Sequence, residues 1–128
     1  MGEADPVVRI TEQERRPGAP TPGMHREEAV ATDTTWGGFL RSDAGVVSGW
    51  HHHGEYESVI YLVSGRLRME SGPGGSSVVE AGPGDFLFVP RGSIHREGNP
   101  TEVEGTVVVV RSGRGDPVVN VEGPAESG

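Results

Sequence analysis

The sequence contains no cysteine. Disulfides and thiolate ligands are therefore excluded, and any metal must sit on imidazole and oxygen, which leaves zinc, iron, manganese, nickel or copper. Positive charge is also scarce. With 11 lysines and arginines against 19 acidic residues, the net charge of -8 disfavours nucleic acid and anionic membrane surfaces as partners, since both would repel the chain. No apolar run approaches the length of a membrane span, and the first ten residues lack a basic segment followed by an apolar one. A cytoplasmic protein is the expectation. Repeats and long low-complexity segments are missing too, and 128 residues suffice for one core but not two.

What is abundant is glycine, with 21 residues, and proline, with 10, a turn-rich composition that suits many short strands and argues against helical bundles. Residues 15–25 hold three prolines and two glycines, so residues 1–24 read as an extended arm. Strands are expected at residues 34–40, 46–53, 58–64, 66–71, 77–81, 85–89, 103–111 and 117–121, with a hairpin turn at residues 72–75. The segment 85–89 reads as a continuous apolar strand, and Met69 with residues 107–110 reads as core. Residues 25–121 would thus form an all-β jelly roll or small barrel whose mouth holds one small ligand, followed by a frayed tail at 122–128. Exposed strand edges in so short a barrel predict a homodimer, with the arm and an outward-facing Trp50 as the surfaces that cover them.

Chemistry is concentrated in the histidines. Side chains alternate along a strand, so His51 and His53 converge on one face while Trp50 and His52 point to the other. Val47 and Gly49 should share the face of His51 and His53, and the missing side chain at Gly49 would leave room beside a bound metal. His95 follows a turn in which Pro90 ends a strand and Gly92 allows the positive φ that aims the imidazole inward. His25 is a candidate fourth nitrogen ligand, but with no motif around it reads as exposed; Tyr56, Tyr61 and Arg111 are candidates to reach a pocket, with packing the expected role of the tyrosines and a solvated charge that of Arg111 at a strand end.

Two spacings carry a resemblance. Gly84, Pro90, Gly92, His95 and Asn99 match every fixed position of the downstream motif of the cupin family, and Gly45, His51 and His53 resemble its upstream motif. The likeness spans residues 45–99 and implies a double-stranded β-helix, or jelly-roll, barrel with one divalent transition metal on His51, His53 and His95. The family's upstream carboxylate has two possible positions here. Glu57 lies three residues beyond His53 but seven before Gly65, whereas the family's six-residue gap falls on Ser58. Strand parity turns Glu57 away unless the chain bulges, so Glu57, Glu55 or a three-histidine site completed by water all remain open. Asn99 is expected to cap a turn through its amide rather than to bind metal. The resemblance further implies a metal-dependent enzyme acting on a small molecule, either a dioxygenase or a redox-silent isomerase, cyclase or lyase, with Glu57 or Tyr56 moving protons. A non-catalytic ligand-binding barrel is the alternative from the same family.

Overall fold

The computed structural model describes residues 5–114 and 118–125. These form eleven strands: β1 (Arg16–Pro17), β2 (Met24–Ala31), β3 (Thr35–Ser42), β4 (His51–His52), β5 (Glu57–Ser64), β6 (Leu67–Ser71), β7 (Ser77–Ala81), β8 (Phe86–Val89), β9 (His95–Gly98), β10 (Gly105–Ser112) and β11 (Val119–Asn120). All pairings are antiparallel, in a six-stranded sheet of order β1-β2-β3-β10-β5-β8 and a five-stranded sheet of order β11-β4-β9-β6-β7. This is a double-sheet jelly roll. No helix among the described residues is long and apolar enough to cross a membrane.

The core follows from period-2 alternation on the long strands. Ile60 and Leu62 of β5, Val107 and Val109 of β10, Leu40 of β3, and Leu67 and Met69 of β6 are buried together with Met24, Ala81 and Val89. Burying aliphatic chains of this kind contributes about 1.5–3 kcal/mol each, which is why the long central strands define the barrel. Tight corners complete it. Gly65 turns the chain between the sheets at φ 79°, and a Cβ there would lie 2.7 Å from the Gly105 Cα, so only glycine fits.

Several expectations need correction. Residues 46–53 are not one strand: only His51–His52 is regular, and Val47 makes an isolated bridge to Gly98. The irregular stretch between them breaks the parity count, so Val47 does not share the histidine face and is 61 % exposed. Trp50 is not free surface either. Arg96 lies 4.7 Å from its ring centroid, and Gly75 and Gly123 pack against the indole. The segment 85–89 is amphipathic rather than wholly apolar inside: Leu87 and Val89 face the core, while Phe86 and Phe88 are 68 % and 60 % exposed. Val108 and Val110 likewise face outward from β10, so only alternate members of that valine run are core.

In the arm, β1 pairs with Glu27 and Glu28 of β2 as a sheet edge, where a proline is tolerated because no partner needs its missing N–H. Residues 1–4 of the arm lie outside the described residues, as do Pro117 of the expected last strand and residues 126–128 of the tail. Before them, Ala125 accepts a hydrogen bond from Gly74 N at 2.7 Å.

Candidate metal centre

Strands β4 and β9 pair so that His51 lies directly opposite His95. His53 comes just after β4, where its carbonyl accepts a hydrogen bond from Tyr56 N at 3.0 Å and closes a turn. The turn before His95 is tied to that one: Gly92 N donates to Gly54 O at 2.9 Å. Gly92 sits at φ 70°, the left-handed conformation expected of it. The β4–β9 pairing and this bond between turns together bring histidines from distant parts of the chain to one place.

The three imidazoles are buried, with ring centroids 5.0 Å apart for His51–His53, 4.4 Å for His51–His95 and 5.1 Å for His53–His95. One nitrogen from each falls within 4.8 Å of the other two. The Nδ1 of His51 is 2.9 Å from Gly49 O, and the Nδ1 of His95 is 2.9 Å from Ser93 O. A carbonyl only accepts, so both Nδ1 atoms carry the proton and both Nε2 atoms keep a lone pair for a ligand. Burial lowers the pKa of His95, against the opposing charge of Glu97, and so favours the neutral, ligating form. This set of three convergent imidazoles, two of them oriented by backbone carbonyls, fits a divalent transition metal.

Other candidate residues fall differently. Glu57, half-buried at the start of β5, is not part of the histidine cluster, and Glu55 is exposed. Ser58 faces inward instead, and its Oγ is buried with no hydrogen-bond partner among the described residues. His52 turns out and accepts from Gly54 N at 3.0 Å. His25 stays at the surface, 3.0 Å from Asp43. Asn99 is buried but points away from the metal site into backbone, as described below. Tyr61 meets Phe86 in a tilted ring contact, with centroids 5.0 Å apart, on the outer sheet face.

A cavity of about 550 Å³ opens beside His51, and its wall includes Gly49, Tyr56, Trp36, Arg26, Glu97 and Arg111. A larger groove of about 930 Å³ runs under residues 12–27 and contains none of the three clustered histidines. Of the wall residues, Glu97 was not anticipated, and Arg111 was a pocket candidate set below a solvated role. Glu97 is only 6 % exposed, with Oε1 3.8 Å from the His51 Nε2. It lies two residues after His95 on β9, so simple alternation would have placed it on the same face. Arg111, expected to be a solvated charge, is instead drawn inward. Its guanidinium carbon lies 5.2 Å from the Trp36 ring centroid, and burial, reinforced by the like charge of Arg26, pushes its pKa down.

The sequence profile of the cupin domain family matches residues 38–111. No curated protein matches the chain. Among solved structures, KdgF from Halomonas sp. is 22% identical with a TM-score of 0.72, over 87% of this chain and 97% of that one. The polyketide cyclase RemF from Streptomyces resistomycificus is also 22% identical, with a TM-score of 0.73 over 90% and 85% of the two chains. A predicted oxalate decarboxylase from Thermotoga maritima is 14% identical, with a TM-score of 0.69 over 82% and 98%. At these identities the neighbours share the fold, and their chemistry is their own.

Proposed function

The chain belongs to the cupin domain family, and from that premise we propose that it is a metal-dependent enzyme that moves protons on a small-molecule substrate, as an isomerase, cyclase or lyase does. The observation that carries this reading is the buried Glu97 carboxylate, on the wall of the cavity and 3.8 Å from a histidine of the cluster. His51, His53 and His95 would hold one divalent ion. Bound there, it would polarise a substrate carbonyl or hydroxyl without changing oxidation state.

The protein's own groups do the rest. Glu97 accepts a proton from the substrate and returns it to another atom, the step common to isomerisation, elimination and cyclisation. Tyr56 shares the cavity wall and offers a hydroxyl as a second proton carrier, whereas Glu57 does not line that cavity. Gly49 and the enclosing strands leave open volume beside His51 for the substrate.

Two measurements test the proposal. Untagged protein should carry close to one transition metal per chain, and a His51→Ala, His53→Ala double variant should lose it on dialysis; full retention overturns the metal assignment. The metal-loaded protein should then catalyse exchange of substrate C–H for deuterium in heavy water across a panel of carbonyl compounds, and Glu97→Gln should stop the exchange while keeping the metal. Oxygen consumption by the iron-loaded form would move the protein to the oxygenases, and ligand binding with no turnover would make it a binding barrel.

A further inference from the structure

Arg111 is the one cationic wall residue of the cavity that has neither a hydrogen bond nor an ion pair among the described residues. Arg26, its neighbour in the same cavity, donates to Thr21 Oγ1 at 2.8 Å and to Ala19 O at 3.3 Å. The Arg111 Nε is buried and unpartnered. In register, Arg111 of β10 lies opposite Trp36 of β3 on one side and Ser58 of β5 on the other. The Ser58 Oγ is also buried and unpartnered. The space against Ser58, next to His53, His95 and Glu97, is only about 20 Å³, enough for a water. The Trp36 ring lies against the Arg111 guanidinium and the charge of Glu97 favours its charged form, but neither forms a hydrogen bond with it, so on the wall of the 550 Å³ cavity its N–H groups are open to an acceptor that arrives from outside.

The charge of the cavity narrows what that is. Glu28 is taken up by Trp36 Nε1 at 2.9 Å and by Arg16 at 2.9 Å, and Glu97 sits beside His51 and makes no ion pair with Arg111. A guanidinium fork matches a planar carboxylate with two parallel hydrogen bonds. A dianionic phosphate would bring a second negative charge toward Glu28 and Glu97, which a single carboxylate avoids.

We infer that the substrate is a small organic acid whose carboxylate is held by Arg111 on the wall of the 550 Å³ cavity. This rests on the proposed enzymatic reading of the site and adds its substrate class. Anchored at Arg111, the rest of the molecule extends along the shared cavity wall toward Glu97 and His51. Its carboxylate is then spectator rather than reactant.

The test uses the full metal-loaded chain and matched probes observed by ligand-detected NMR: benzoate, pyruvate and glycolate, each against its amide, with inorganic phosphate as the anion control. At least one acid should bind about tenfold or more tightly than its amide, the size expected when a charged hydrogen-bonding partner is removed. Arg111→Gln should abolish that preference at unchanged metal content and fold. Arg111→Lys, which keeps the charge but not the fork, should retain part of it and serves if the Gln variant does not fold. Equal binding of every acid and its amide, a preference undiminished in both variants, or phosphate binding more tightly than all three acids overturns the inference. In His51→Ala, His53→Ala, an acid preference that persists places the carboxylate on Arg111 and not on the metal, and a preference lost there while intact in Arg111→Gln does the reverse. The metal assignment itself stands or falls on metal content, measured separately.

Discussion

Replacing Asn99 tests the frame of the site without touching its chemistry. Asn99 is 1 % exposed and uses all four of its hydrogen-bonding positions: Nδ2 donates to Ser42 O at 3.1 Å and to Val103 O at 2.7 Å, while Oδ1 accepts from Thr101 N at 3.0 Å and Thr101 Oγ1 at 2.7 Å. Its backbone adds to the clamp, since Asn99 N donates to Val46 O at 2.9 Å and Asn99 O accepts from Gly45 N at 3.1 Å. The residue therefore joins the end of β9, which carries His95 and Glu97, to the segment that leads into His51. In Asn99→Ala, Thr101 Oγ1 can turn to Val103 O, already 3.1 Å away, so a single bond re-pairs those two groups while Ser42 O and Thr101 N lose the partner that Asn99 supplied. Two groups losing a bond at about 0.5–1.5 kcal/mol each, plus the space vacated, come to about 2–3 kcal/mol.

With an unfolding entropy of about 2.1 cal/mol/K per residue, that corresponds to a fall in Tm of about 8–11 °C for this chain. Circular dichroism melts of the metal-free protein at pH 7 measure it. Asn99→Asp should be worse than Asn99→Ala, because it turns a carboxylate oxygen toward the Ser42 and Val103 carbonyls, and acidification that protonates it should recover part of the loss. Folded protein of either variant should still bind metal. A change in Tm below about 3 °C for Asn99→Ala, or an Asp variant as stable as the parent, would refute the claim that these bonds hold the barrel mouth together.

Two further outcomes follow from where the other residues lie. Glu57→Gln should leave metal content unchanged after dialysis, because Glu57 stands outside the histidine cluster; a loss as large as that of His95→Ala would show that the chain rearranges to bring the carboxylate in. The outer face of the six-stranded sheet presents Val59, Tyr61, Phe86, Phe88 and Val110 to solvent beside β8, an edge strand, so the chain is expected to be a homodimer through that face. Light scattering should report a dimer at micromolar concentration that Phe88→Asp converts to monomer, and a monomeric parent chain refutes it.

How much of this was legible in the sequence depended on whether strand alternation was counted along an unbroken run of backbone pairing. Within β5, Ser58, Ile60 and Leu62 alternate inward as counted, which is why Ser58 faces the site and Glu57 does not. Within β9, the same count from His95 reaches Glu97, but a lone glutamate in the sequence reads as a solvent-facing residue, and nothing local contradicts that. Counting back from His51 failed at Val47, because the chain between them leaves the ladder and the parity resets.

The inward position of Arg111 could not be settled for a different reason: what it meets, the Trp36 ring and the charge of Arg26, is far away in sequence and contributed by β3 and β2. A strand-end arginine carries no local sign of what its neighbouring strands will place over it. The spacing of the downstream motif succeeded because its residues have local preferences that the sequence displays, Gly92 for a left-handed turn and Asn99 for an Asn-centred turn onto Thr101 and Val103, even though Asn99 also reaches Ser42 across the fold. Such residues help to position the histidines. The groups that would choose a substrate, Glu97 and Arg111, come from β9 and β10 in different sheets, so a variant that alters one of them should change which molecule is bound while leaving the histidine cluster in place.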